Sequence, residues 1–162
     1  MAKHTLDFTD DFNFLLYGIS SNENQYLLVN NINNALHIDL RLESYIDLSH
    51  RIGKEFRFSF FSFMDDELNL EYILIPNRSN FTNEEKSQTD KNNLFSLLNE
   101  NFDESSRLIP ELTKTDYLLL IKGDEYYHHS YKIADAIKKT ESVIRLQEII
   151  PDTLESKSNL IF

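Results

Sequence analysis

Five histidines, scattered hydroxyls and several clusters of carboxylates are the residues with which this 162-residue chain could do chemistry. Metal ligation would draw on His128-His129, but adjacent residues on a helix point in different directions and need a distant third ligand. His4, His37 and His50 are spread along the chain. Nucleophilic catalysis requires a hydroxyl, a base and a group that orients the base. Ser49-His50 supplies adjacency alone, with no nucleophile elbow around it. Asp10-Asp11, Asp65-Asp66-Glu67 and Glu84-Glu85 fall in predicted turns, where aspartate bonds backbone N–H groups, and none has the spacing of a calcium loop. The isolated Gly18, Gly53 and Gly123 cannot cradle a phosphate. With no cysteine, thiolate ligands, thiol nucleophiles and disulfides are all excluded, which points to a reducing compartment. No metal, no cofactor and no catalytic residue is expected.

Two carboxylates stand apart from these clusters. Glu111 and Asp116 are five residues apart in Ile109-Pro110-Glu111-Leu112-Thr113-Lys114-Thr115-Asp116-Tyr117. On a functional account they converge on one site across a turn. On a structural account Pro110 starts a helical turn, Glu111 favours its N-terminus by charge–dipole attraction, and Asp116 pins the start of the strand of Tyr117. The structural account is preferred. Aromatic clusters are read the same way: Phe56 to Phe63 is core material rather than a base-stacking platform, since only Lys54 and Arg57 lie nearby. Tyr126, Tyr127 and Tyr131 are assigned to buried or half-buried packing, with a pocket or interface as the alternative.

The charge balance narrows the partners. With 27 acidic and 16 basic residues, the chain carries a net charge of -11, which repels nucleic acid and anionic membranes. Leu118 to Ile121, among the longest apolar runs, is far shorter than the roughly 20 residues that a membrane span needs. Met1 to Asp10 lacks the apolar stretch of a signal peptide, so a cytoplasmic location is expected. The sequons at Asn77 and Asn80 are then coincidental.

These residues must be positioned by elements read from periodicity, because three Gly and three Pro leave little punctuation. Phe12 to Ile19 alternates as a central strand, apolar on both faces. A helix follows, opened by a capping box of Ser20 and Glu23 and carrying Leu28, Ile32, Ala35 and Leu36 on one stripe. Ile38, Leu40 and Leu42 mark a half-buried strand. Phe56 to Phe63 and Leu68 to Leu74 form a hairpin around Asp65-Asp66-Glu67, ending at Pro76; the shift at Phe61 predicts a bulge or a two-faced strand. Asn77 to Asn93 reads as a polar loop, and Leu94, Leu97 and Leu98 as a short helix. Tyr117 to Ile121 is a strand stopped by Gly123. A second helix turns Ile133, Ala134 and Ile137 inward, Val143 to Ile150 is a last strand, and the apolar tail Leu160-Ile161-Phe162 docks.

The stretch from Leu108 to Leu118 resembles the bacterial IPExxxVDY family, with Ile109, Pro110, Glu111, Asp116 and Tyr117 matching in spacing and Thr115 standing where the motif has valine. Gly18-Ile19-Ser20, Ile75-Pro76-Asn77-Arg78-Ser79 and Lys157 to Phe162 are also similar. The resemblance runs over most of the chain and brings no activity, ligand or catalytic residue with it.

The expected fold is a single α+β domain over 1–162, with a polar connection at about 77–107. It is a two-layer sandwich: a mostly antiparallel sheet of about five to six strands with two main helices on one face, a ferredoxin-like variant. The expected function is non-enzymatic binding of a protein partner or of a second copy as a homodimer. A small-molecule-sensing domain is the alternative.

Overall fold

A computed structural model describes residues 12–49, 55–79 and 107–162. They form an α+β sandwich built on a six-stranded sheet. In chain order the elements are β1 (Leu15–Ser20), α1 (Gln25–Leu36), β2 (Arg41–Ser49), β3 (Glu55–Asp65), β4 (Leu70–Pro76), β5 (Tyr117–Lys122), α2 (Tyr126–Lys138) and β6 (Arg145–Ile149). Two 3-10 turns, Pro151–Thr153 and Lys157–Leu160, follow. The strand order is β2-β3-β4-β5-β1-β6, with every neighbouring pair antiparallel.

Alternation in the central strands builds two cores. Leu15, Tyr17 and Ile19 of β1 and Tyr117, Leu119 and Ile121 of β5 face one side, where Leu28, Val29 and Ile32 of α1 and Ile133 and Ile137 of α2 cover them. Leu16, Leu118, Leu120, Ile73 and Ile75 face the other side, covered by Leu108 and Ile109 and by Leu154 and Leu160 of the C-terminal turns. Burying each such leucine or isoleucine contributes about 1.5–3 kcal/mol, so strands apolar on both faces belong at the centre. Both helices lie on one face, as expected. The second face is also covered, which a two-layer reading did not anticipate.

Several boundaries differ from expectation, each for a local reason. No Ser20–Glu23 capping box forms, because Ser20 ends β1 and its hydroxyl bonds the Lys114 carbonyl at 2.6 Å. Asn24 caps α1 instead, its side chain accepting the Tyr26 and Leu27 N–H groups at 3.1 and 3.0 Å. The strand expected at Ile38 to Leu42 starts at Arg41 and runs on to Ser49; Leu40 is buried ahead of it, and Leu42 is exposed. Phe61 marks a two-faced strand: Phe56, Phe58 and Phe60 face the second core and Phe61 and Phe63 the first. The bulge lies in the partner strand, between Leu42 and Ser44.

The β3–β4 hairpin stands as expected. Asp65 caps its turn by accepting the Glu67 and Leu68 N–H groups at 3.0 Å each, and Asn69 takes a left-handed φ of 51°. Gly123 packs against this turn with φ 142°. A Cβ there would stand 2.4 Å from the Asn69 carbonyl oxygen, so only glycine fits. Asn77, where the polar loop is expected to begin, is fully buried. Most of that loop and the helix expected at Leu94 to Leu98 lie outside the described residues. The tail docks through Leu160. Ile161 and Phe162 stay half-exposed, Phe162 resting edge-on against Phe60.

Candidate functional site

The motif residues meet at one end of the sheet, where β4 leaves and β5 begins. The register pairs Pro76 with Tyr117, so the next residues outward, Asn77 and Asp116, face each other. The Asn77 N–H bonds the Asp116 carbonyl at 2.8 Å, and the Asn77 carbonyl accepts the Leu108 N–H at 2.9 Å. Its side chain is inserted into the turn from Leu108 to Thr115. Oδ1 accepts the Ile109 N–H at 2.8 Å, and Nδ2 donates among the carbonyls of Ile109, Leu112 and Thr115 at 3.3, 3.1 and 3.1 Å. Arg107 adds a bond to the Thr115 carbonyl at 3.2 Å. Buried backbone groups need partners; the Ile109 N–H takes its own from Asn77, and the turn's bonds from the Leu112 and Thr115 N–H groups to the Ile109 and Leu112 carbonyls share those acceptors with the Asn77 amide. The side chain of Asn77 has no exposure, so it cannot carry a glycan in the folded chain.

Each motif residue has a definite place. Ile109 is buried on the second face of the sheet. Pro110 follows it in a tight turn closed by the Leu112 N–H on the Ile109 carbonyl at 3.2 Å, where a fixed φ is pre-set for the bend. This is a β-turn rather than the start of a helix, and Glu111 does not act on a helix end. Glu111 reaches across to the C-terminal segment, accepting the Ser156 N–H at 2.9 Å. Burial raises the Glu111 carboxyl, but hydrogen bonds from the Ser156 N–H, its own N–H, the Ser156 hydroxyl and Glu155 outweigh this and hold it below its ordinary value.

Asp116 does secure the start of β5. Its N–H bonds the Ile19 carbonyl at 2.9 Å, and Oδ2 accepts the Ser21 N–H at 3.0 Å. Oδ1 stands 3.6 Å from the Arg78 guanidinium. The Tyr117 hydroxyl donates to the Glu23 carbonyl at 2.6 Å, and burial, then the charges of Asp116 and Glu23, push its pKa upward. Asp116 and Tyr117 thus bind β5 to the β1–α1 connection, whereas Glu111 binds the turn to the C-terminal segment. The two carboxylates have separate partners.

Asp116 and Tyr117 also line an open cleft of about 320 Å³ with Ser21, Asn24, Tyr26 and Arg78. One guanidinium and one carboxylate face the cleft, together with the amide of the α1 cap. This set can hold a small polar molecule, but it pairs no nucleophile with a base.

The remaining candidates do not converge. His37 ends α1 in a left-handed conformation, φ 57°, and His128 and His129 sit side by side on α2. Among the described residues no group of three His, Asp or Glu side chains comes together. Tyr126 packs on the first core and donates to Asn13 at 3.0 Å. Tyr127 and Tyr131 are exposed, Tyr131 by 81%, so the packing expected for them is corrected: they stand on the outer face of α2.

Sequence reasoning missed one surface. β2 is the outermost strand, and among the described residues nothing pairs with its outer edge. Leu42, Tyr45 and Met64 are exposed beside it. The alternation of Tyr45 and Asp47 with Ile46 and Leu48 is the signal that carries the strand past Leu42. No family model matches this chain, and neither a curated protein nor a solved structure does.

Proposed function

We propose that the chain is a non-enzymatic, cytoplasmic protein-binding domain of the IPExxxVDY type, acting through the outer edge of β2 on a partner protein or on a second copy. The observation that carries this reading is a nine-residue edge strand whose outer hydrogen-bonding groups meet no other strand among the described residues, with exposed Leu42, Tyr45 and Met64 alongside. An edge of this length is a template for another strand. The motif carboxylates already serve the fold, which favours binding over catalysis. Hydrogen exchange tests the idea: outer-edge amides of β2 exchange quickly in dilute protein and become protected in concentrated protein or in host extract. Unprotected amides under both conditions would sink it.

A second reading is a small-molecule-sensing domain of the ferredoxin-like kind, favoured by the cleft between Asp116, Arg78 and the start of α1. A thermal-shift screen against metabolites separates the two, because a ligand bound only by the native state raises Tm. No shift at millimolar concentrations would leave the edge-binding reading alone.

A further inference from the structure

Given that β2 is a binding edge, as read above, we propose that it takes a basic, extended segment of another protein, added as a seventh strand alongside Ser44–Ser49. The bulge between Leu42 and Ser44 interrupts the strand, and beyond it Ser44 to Ser49 keep an unbroken register with β3. That run offers regularly spaced N–H and C=O groups to a new neighbour. Ile46 and Leu48 are only half-buried against the Phe56, Phe58 and Phe60 face, so an apolar residue of the added strand would extend that cluster.

Charge chooses the partner. Where β2 starts, a groove of about 620 Å³ has Leu42, Phe63 and Met64 in its lining and Asp39, Glu43 and Glu71 around them. Arg41 and Arg57 are held by Asp39 and Asp47. Across 39–49 and 55–71 there are eight carboxylates against these two arginines. A lysine or arginine stem beside Ser44 can lie along Leu42 with its charged end at Glu43, and one further along the strand can reach Asp47. A second copy fits poorly. Each carries a net charge of -11, and edge-to-edge pairing sets Glu43 and Asp47 of one copy against the same residues of the other. A bulge and charges on an edge strand are devices that discourage self-pairing.

The probe is a short labelled peptide alternating lysine with valine, titrated with the full chain by fluorescence anisotropy. Two controls accompany it: one alternating glutamate with valine, and a lysine–valine peptide with prolines at its centre. The lysine peptide is expected to bind saturably, about tenfold or more tighter than the glutamate peptide. The proline peptide, equally charged but short of N–H donors, is expected not to bind. Glu43→Lys combined with Asp47→Lys should weaken the lysine peptide by about tenfold. Equal binding of the lysine and proline peptides would mean charge attraction alone and would overturn strand addition. Equal binding of the lysine and glutamate peptides would refute a basic partner while leaving β2 a binding edge. No binding by any peptide, with β2 amides unprotected throughout, would remove both readings. Dimerisation that protects β2 in concentrated protein would assign the edge to a second copy instead.

Discussion

The Asn77 side-chain oxygen accepts the Ile109 N–H at 2.8 Å, and through this bond a fully buried asparagine at the end of β4 holds the motif turn against the sheet. Its amide nitrogen faces three carbonyls of the same turn. The turn therefore depends on a residue more than thirty positions earlier in the chain.

Asn77→Ala should be among the most damaging single substitutions in the molecule. It orphans the buried Ile109 N–H and removes one of two donors from the carbonyls of Ile109, Leu112 and Thr115, which keep the Leu112 N–H, the Thr115 N–H and Arg107, for an expected loss of about 2–3 kcal/mol. Asn77→Asp, which keeps the volume but sets a carboxylate among carbonyls, should be at least as severe. Urea denaturation of both variants is the check. A loss under about 1 kcal/mol in either would contradict this role.

Asp116→Asn should cost about 1–2 kcal/mol, because a charged acceptor is lost from the Ser21 N–H bond. Glu111→Gln should cost less than about 1 kcal/mol, since Glu111 is exposed and water screens its bond. If both variants kept full stability, the carboxylates would return to consideration as chemical groups.

The Glu111 carboxyl is depressed in the fold, so its stabilising contribution is present above the unfolded value near 4.5 and fades as pH falls through the lower folded value. The stability difference between the parent chain and Glu111→Gln should therefore shrink below about pH 4. Denaturation midpoints of both proteins across the acidic range will show it. A difference that holds constant to pH 2 would refute the assignment.

Tyr17 is pushed up to about 12, first by burial and then by the charge of Glu148, and Tyr72 and Tyr117 are also raised. For these groups the neutral form is favoured in the fold. The stability they contribute is complete below the ordinary tyrosine value near 10 and is lost as pH rises towards 12. Tyrosinate absorbance from Tyr17, Tyr72 and Tyr117 should appear only as the fold weakens. A single transition near pH 10 with the fold intact would be the contrary result.

Gly18→Ala should destabilise by about 1–3 kcal/mol through overpacking. The new Cβ would stand 2.9 Å from Ile149 Cδ1 and 3.0 and 3.1 Å from Thr115 Oγ1 and Cγ2. A shift in Tm by differential scanning calorimetry is the measurement, and an unchanged Tm would show that β6 and the motif turn yield at no cost.

Much of the fold is legible in the chain because local periodicity reports burial directly. Leu118 and Leu120 lie on one face of β5 and Leu119 and Ile121 on the other, so a central strand follows from the run itself. The hairpin at Asp65 and the two amphipathic helices are local in the same sense. The Ser20–Glu23 box misled because two residues at capping spacing say nothing of Lys114, whose carbonyl takes the Ser20 hydroxyl across the sheet. The candidate edge was less legible, because alternation shows which residues face outward and not whether a neighbouring strand is present.

By itself the sequence determined the α+β class, the antiparallel hairpin, the absence of thiol chemistry and an acidic surface, all consequences of composition and short-range pattern. Tertiary structure alone decided that Asn77 holds the motif turn, that Glu111 and Asp116 serve different neighbours, that the C-terminal turns cover the second sheet face, and that β2 lies outermost. Each of these depends on pairings between residues far apart in the chain, where strand order and register, rather than local propensity, set which groups meet.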